Sequence, residues 1–437
     1  MPQPATLTRK PATRRRAYKL LGLALILLAF ALALPAGASA YVSAACGATG
    51  SAQPSRGGPD YFGVVFVDAT HGWVSGGSGQ IVATTDGGAT WDDRSCSSRD
   101  DVRIAFIDAT HGWVVGASGA IFATSDGGAT WKAQSSGTTA NLTAVTFIDA
   151  THGWVVGGGG AILATTDGGA TWKAQSSGSS KDLSGLAFSD ATHGWAVGFD
   201  GIILSTSDGG VTWKAQTSGS SDWLWGVTAL DATHVWAVGG AENPGTQTST
   251  GTILVTTDGG ATWSEQTATS SSLSAIDFSD AAHGWAAGFD GLILATADGG
   301  ATWSKQSSGT TESLHGIAFL DATHGWAVGD AGTILATADG GATWTKQNQG
   351  SSAPMIAKLK PASGKRGASV TISGTDFGAA QDAGSVKFGT AKCTTYVSWS
   401  DTQIKCKVPA KATYGKVKVT VTTSAGASNG VSFTVKR

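Results

Sequence analysis

Four cysteines are all that the 437 residues contain, with two methionines and five tyrosines. Four thiols allow at most two disulfides, which excludes a scaffold held by a dense disulfide framework. Arginine, glutamate and tyrosine are scarce through the middle of the chain. From residue 41 to 353 the arginines are Arg56, Arg94, Arg99 and Arg103, and the glutamates are Glu242, Glu265 and Glu312. From residue 61 to 349 the only tyrosine is Tyr61. Arginines bunched in one short stretch cannot converge from distant repeats, which excludes a carboxylate grip assembled from several of them. The longest apolar run, Leu20 to Leu34, has 15 residues. That is short of the ~20 that a membrane-spanning helix needs.

Repetition is what the chain has in quantity. The octet T-x-D-G-G-[AV]-T-W ends at Trp91, Trp131, Trp172, Trp213, Trp263, Trp303 and Trp344, at spacings of 40, 41, 41, 50, 40 and 41. An upstream HGW element keeps step, with tryptophans at 73, 113, 154, 195, 236, 285 and 326. Each copy holds four strand-like runs, called A to D here. In the third copy they are expected at Ala144–Ile148, Trp154–Gly157, Ala161–Thr165 and Trp172–Gln175. Run A alternates apolar and polar residues, and Gly, Asp and Ser clusters separate the runs as hairpin turns require. Seven four-stranded units of this size predict a seven-bladed β-propeller over residues 61–349.

The octet resembles the Asp-box, or bacterial neuraminidase repeat. The whole unit, F-x-D-A-T-H-G-W-x-V-G-x-x-G-x-I-L-A-T-x-D-G-G-A-T-W, is similar to the photosystem II stability/assembly factor family. The resemblance covers about two-thirds of the chain. It implies a seven-bladed propeller outside the cytoplasm, and a leaning towards protein assembly or scaffolding. That family is expected to engage its client through an arginine-rich patch, for which this acidic propeller has no counterpart. Asp-box propellers also include sialidases and xyloglucan hydrolases. A sialidase needs three converging arginines and a Tyr nucleophile with a Glu partner, and the inventory above fails that test.

Residues 1–40 read as a secretory signal: Arg14, Arg15, Arg16 and Lys19, then the apolar run, Pro35, and Ala38-Ser39-Ala40 as the cleavage site. The protein is therefore expected to be secreted or held in the extracytoplasmic envelope, with 41–60 as an N-terminal segment. In such a compartment Cys46 is expected to pair with Cys96, and Cys393 with Cys406.

Charge divides the chain. Residues 41–353 carry 10 Lys and Arg against 28 Asp and Glu, a net of −18, whereas residues 354–437 carry 13 against 3, a net of +10. Structural carboxylates explain most of the acidity. Each octet has one, at Asp86, Asp126, Asp167, Asp208, Asp258, Asp298 and Asp339, and each A–B turn has another, at Asp68, Asp108, Asp149, Asp190, Asp231, Asp280 and Asp321. Such Asp side chains cap the backbone of their own turns. The seven His of the HGW element are read as turn locks, because a ring spreads them one per blade. No metal and no cofactor are expected.

Strand direction then sets the faces. The A–B turn and the octet share one rim, and the B–C and D–A connections share the other, where the sequence varies. Blade five stands out there. Its B–C loop has an insertion, roughly Ala241 to Thr250, and its entry holds Trp223 and Trp225. Position 225 matches Thr143, Ser184, Ser274 and His315 in other blades. The B–C turns of blades four and six carry Phe199-Asp200 and Phe289-Asp290, and that of blade seven carries Asp330. Trp223, Trp225, His315, Phe199, Asp200, Phe289, Asp290 and Asp330 are thus the expected ligand-binding surface, suited to a peptide segment or a sugar.

After a linker at 350–353, residues 354–437 show short alternating Val, Ile, Phe and Thr runs with Gly turns, predicting an immunoglobulin-like β-sandwich. The P-x-S-G-x-x-G opening and I-x-C-x-V-P resemble the IPT/TIG domain. Lys405, Lys407, Lys416 and Lys418 alternate on two strands, so each pair shares a face that could hold an anionic envelope polymer. Nucleic acid is not an expected partner of an exported chain. The sequence as a whole reads as an all-β, monomeric, non-catalytic binding or scaffold protein of the cell envelope, with a protein client or an envelope polysaccharide as partner. The alternative is a carbohydrate-binding protein, or a glycoside hydrolase working through Asp200 and Asp290.

Overall fold

A computed structural model describes residues 59–95, 102–243, 248–347, 354–375, 377–378, 381, 384–400, 402–423 and 426–437. Cys46, Cys96 and the expected signal segment lie outside them. The chain divides into two compact units. The first contains seven antiparallel four-stranded sheets, each in sequence order from one continuous segment. The third blade is typical, with strands Leu142–Phe147, Gly153–Gly157, Ile162–Thr165 and Lys173–Gln175. Its second strand, GWVVG, is buried along its whole length. The outermost strand is three residues long and largely exposed, and Trp172 sits just before it.

The blades are joined by aromatic rings. Trp154 of blade three lies flat on Phe188 of blade four, with centroids 3.7 Å apart and planes 11° apart. Trp213, from blade four's own octet, meets the same Phe188 edge-on at 6.0 Å and 85°. Each such ring pair contributes about 0.5–1.5 kcal/mol beyond its buried area. The indole N–H groups are used as well. Trp154 Nε1 donates to the Gly209 carbonyl at 2.9 Å, and Trp213 Nε1 donates to Gln175 Oε1 at 3.1 Å. The clasp repeats around the ring at Trp73–Phe106, Trp113–Phe147, Trp236–Phe278, Trp285–Phe319 and Trp326–Phe66.

The last of these pairs joins blade seven to blade one, and shows how the ring closes. Among the described residues no strand is exchanged. Phe66 stacks on Trp326 at 3.5 Å, Gly332 N donates to the Pro59 carbonyl at 2.7 Å, and Ala331 N donates to Asp60 Oδ1 at 3.1 Å.

Space for the Phe ring comes from the glycine of the HGW element. Phe147 and Gly153 are direct cross-strand partners, and a Cβ on Gly153 would overlap the Phe147 ring. Blade five departs from the pattern at both positions together. Ala229 replaces the Phe, Val235 replaces the Gly, and the two face each other. Volume has moved from one strand to its neighbour, so the buried slot stays filled.

The described residues of the blade-five insertion lengthen a hairpin, Val235–Asn243 with Thr248–Thr256, paired out to Asn243 and Thr248. The fourth strand, Ser264–Thr269, then carries a bulge at Gln266, which shifts the pairing from Ile253–Thr267 to Leu254–Glu265. Gln266 Oε1 and Trp303 Nε1, the pair that would repeat the Gln–Trp bond of other seams, are both buried without a hydrogen bond.

The second unit is a sandwich. One sheet orders Met355–Lys360, Ser369–Thr375, Gln403–Lys407 and Tyr396–Ser400. The other is built on Ser385–Phe388, Gly415–Thr423 and Val431–Lys436. Ile356, Ile372, Phe388, Ile404, Val421 and Phe433 fill the space between them. The disulfide expected between Cys393 and Cys406 is not formed in this structure, where both are buried free thiols. Cys393 Sγ is turned towards the Lys407 carbonyl at 3.1 Å, and the neighbouring Cys393 thiol and burial push the Cys406 thiol up.

The Phe–Gly slot gives a test. Gly153→Val is expected to lower stability by about 2–4 kcal/mol, because a well-packed ring must move. Phe147→Ala/Gly153→Val copies the arrangement of blade five and is expected to recover part of that loss. Urea unfolding of the two single variants and the double variant measures it. Strictly additive losses would show that the two positions do not share one slot.

Candidate functional site

Two rims of the propeller can be compared residue by residue. On the A–B rim every carboxylate is occupied. Asp149 Oδ1 accepts Thr151 N and Thr151 Oγ1, both at 2.7 Å, and His152 N at 2.8 Å, while Oδ2 pairs with His152 Nδ1 at 2.9 Å. The same set recurs at Asp68, Asp108, Asp190, Asp231 and Asp321. Each histidine of the HGW element is thus bonded to its own turn. In the octet, Asp167 accepts Thr165 Oγ1 at 2.8 Å, Thr171 N at 2.8 Å and Thr171 Oγ1 at 2.6 Å. Gly168 and Gly169 follow at φ of 70° and 89°, which favours glycine.

These bonds stabilise the ionised carboxylates. Burial raises the pKa of Asp149, but the hydrogen bonds from Thr151 and His152 outweigh it and bring the group to about 2. Asp167 is held at about 2, first by the Thr171 hydroxyl and backbone N–H.

The B–C rim is built differently. In six of the seven blades the turn is a short 3-10 segment whose central residue is left-handed. That residue is Gly159 in blade three, Asp200 at φ 54° in blade four and Asp290 at φ 56° in blade six. Among side-chain-bearing residues, Asp is one that tolerates this conformation, so both carboxylates have a local structural reason. Both are also partnered. Lys181 Nζ lies 3.4 Å from Asp200 Oδ2, and Ser271 Oγ donates to Asp290 Oδ2 at 3.1 Å.

Beside these turns, six of the seven first strands carry a β-bulge at one repeat position. The extra residues are Phe62, Thr143, Ser184, Trp225, Ser274 and His315. Blade two lacks the extra residue, and its strand Arg103–Phe106 pairs without a shift. A bulge re-aims one side chain while the rest of the strand stays in register. The bulge residue is therefore free to vary on a fixed frame.

Two groups of the expected residues form around these bulges. Phe199 in blade four's B–C turn lies 4.6 Å from Trp223 and 5.7 Å from Trp225, and the two tryptophans are 5.7 Å apart. All three contacts are edge-on, and Trp223 is 44% exposed. In the second group, His315 Nε2 lies 2.7 Å from Asp330 Oδ1. Phe289, in blade six's B–C turn, is 6.2 Å from the His315 ring. The arrangement repeats: a turn Phe of one blade packs on the bulge ring of the next. Asp200 and Asp290 stand outside both ring groups.

Phe62 was not anticipated. It lies 5.4 Å from His315, and the Arg103 guanidinium stands 4.7 Å above it. The signal was present, because Phe62 precedes Phe66 by the interval that separates His315 from Phe319.

Comparisons with known proteins follow this geometry. The family model described as Photosynthesis system II assembly factor YCF48 matches residues 98–144, 133–268 and 306–374, and the IPT/TIG domain model matches 354–435. A solved structure of YCF48 bound to D1 peptide is 22% identical with a TM-score of 0.53, covering 64% of this chain and 93% of that one. YCF48 from Cyanidioschyzon merolae is 22% identical with a TM-score of 0.52, covering 65% and 97%. The GH74 xyloglucanase from Xanthomonas campestris is 13% identical with a TM-score of 0.55, covering 85% and 73%. At these identities the likeness is one of fold. Cyclomaltodextrin glucanotransferases of Paenibacillus macerans and Thermoanaerobacterium thermosulfurigenes are 44% and 40% identical over 80 and 79 residues. Each match takes 18% of this chain and only 11% of the enzyme.

The depressed carboxyls on the A–B rim carry a pH dependence. A folded pKa of about 2 against an ordinary 3.8 means that the ionised turn stabilises the fold above the ordinary value. That stability is lost as pH falls from about 4 towards the folded value. Asp149→Asn/Asp190→Asn is expected to lower the urea midpoint at neutral pH and to flatten its decline in acid. An unchanged acid profile would show that these turns do not couple to unfolding.

Proposed function

The chain belongs to the Photosynthesis system II assembly factor YCF48 family, and from that premise we propose that it is an exported, non-catalytic propeller that holds a segment of a polypeptide client. The observation that carries this reading is the trio Phe199, Trp223 and Trp225 on the B–C rim. Trp223 is exposed there, with Phe199 and Trp225 half-buried beside it in edge-on contact, so the rim offers a partner an aromatic surface held on a fixed frame. A relative of the same family has been solved with a peptide bound, which supports a polypeptide as the class of ligand. The secretory signal supports export, and the photosystem itself is no part of the proposal.

A non-catalytic role is supported by the fate of the acids. The two candidate carboxylates occupy strained turn positions and have their own partners. The remaining Asp side chains of the repeat are consumed by their turns. A hydrolase would require an acid and a base converging on one bond.

A photo-crosslinking residue in place of Trp225, expressed in the native envelope, tests the proposal. A protein adduct is expected, and Trp223→Ala/Trp225→Ala should weaken binding of the captured segment at least tenfold, or about 1.4 kcal/mol. A glycan adduct would replace the client reading with a carbohydrate-binding one. Capture no stronger than at Thr171, on the octet rim, would remove this surface as the binding site.

A further inference from the structure

The C-terminal sandwich carries a charge pattern that the propeller function leaves unused. Its residues 354–437 hold 13 Lys and Arg against 3 Asp and no Glu. On the sheet that begins with Met355–Lys360, the inward positions Ile356, Leu359, Ile372 and Ile404 are buried. The alternate positions of two strands point out as Lys358, Lys360, Lys405 and Lys407, all exposed. Strand Ser369–Thr375 lies between them. Lys360 faces Thr371, and Thr371 faces Lys405, while Lys358 faces Ser373 and Lys407 faces Ser369. Hydroxyls therefore fill the gaps between ammonium groups. None of the four ammonium groups has an ion pair or hydrogen bond among the described residues. On the opposite sheet, by contrast, Lys418 Nζ is tied to the Gly430 carbonyl at 3.0 Å.

The spacing of this lattice selects its ligand. Lysines two residues apart on a strand are roughly 7 Å apart, and lysines two strands apart are roughly 10 Å apart. We propose that this face binds a linear polyol-phosphate polymer of the cell envelope. In a glycerol-phosphate chain six single bonds separate successive phosphorus atoms, a repeat of roughly 7 Å by ordinary bond geometry. Each row of lysines then meets one phosphate per residue pair, and the Ser and Thr hydroxyls donate to the remaining phosphate oxygens. Duplex nucleic acid places a charge every ~1.7 Å, far denser than the lattice, and lies in a compartment that an exported chain does not share. The inference concerns the second unit alone, so it stands or falls separately from the client-binding rim.

Binding of the full chain to short synthetic poly(glycerol phosphate), measured by calorimetry over a range of salt, is the test. Affinity should fall with salt with a log–log slope of about 3, as four neutralised phosphates require. The variant K358Q/K360Q/K405Q/K407Q is expected to bind at least tenfold more weakly at unchanged melting temperature, and K405Q/K407Q to lose an intermediate amount. K416Q/K418Q, on the other sheet, should change affinity less than twofold. Equal losses from both faces, tighter binding of single-stranded DNA of equal charge, or no binding would each overturn the proposal.

Discussion

A phenylalanine ring held between two indoles at every regular seam is the contact on which the propeller depends. One indole comes from the preceding blade's second strand, and the other from the blade's own octet. The stack on Phe188 is 3.7 Å deep on one side and edge-on at 6.0 Å on the other. The same indoles tie the backbone and Gln side chains of adjoining blades through their N–H groups. Because the ring is fixed on both faces, the residue opposite it must give way, and that residue is glycine. Phe, Gly and Trp therefore recur together at the regular seams, and where blade five gives up the Phe it gives up the Gly as well.

The same economy explains the two rims. One is closed chemistry, because its Asp, Thr and His side chains saturate one another and hold the A–B turns and octets. Their number makes the propeller acidic without making it reactive. The other rim takes its shape from backbone devices, a left-handed turn residue and a bulge, neither of which dictates the side chain shown. Thr143 uses its hydroxyl to bridge to the Leu183 carbonyl at 2.6 Å, whereas Trp225 and His315 at the same position gather rings. Variation is cheap at the bulge because Leu142, Leu183, Leu224 and Leu314 beside it keep the core filled.

Much of this was legible before any coordinates. The repeat implies blade number and strand order, strand direction sorts the rims, and the turn Asp and His residues expected to act as locks are hydrogen-bonded within their own turns. Three features were not legible, each for a physical reason. The bulge is a register event, and repeat length does not betray it: the repeats ending at Trp131 and Trp303 are both one residue short, yet blade six keeps the bulge and the described strand of blade two has none. The insertion in blade five has a composition that suits a loop, yet its backbone pairs because two strands already converge there. The Cys393 and Cys406 positions suggested a bridge by compartment and parity; in the structure the two thiols are buried neighbours and free, and spacing does not encode their redox state.

Blade five gathers the irregularities, and they are physically linked. Trp225 occupies the bulge, and four residues further along the same strand Ala229 stands where the regular blades have Phe. The lost volume returns from the facing strand as Val235, so the slot remains full. The lengthened hairpin carries the pairing outward, and the register shift at Gln266 absorbs the mismatch with the short outer strand. The cost falls on one seam, where Gln266 and Trp303 each lack the hydrogen bond their counterparts make. That seam keeps its Trp236–Phe278 stack at 3.8 Å, so the ring is weakened in a polar contact and not in its aromatic one. A repeat protein can specialise one blade in this way only if the deviation conserves buried volume, and the Ala229–Val235 exchange satisfies that condition beside the aromatic trio.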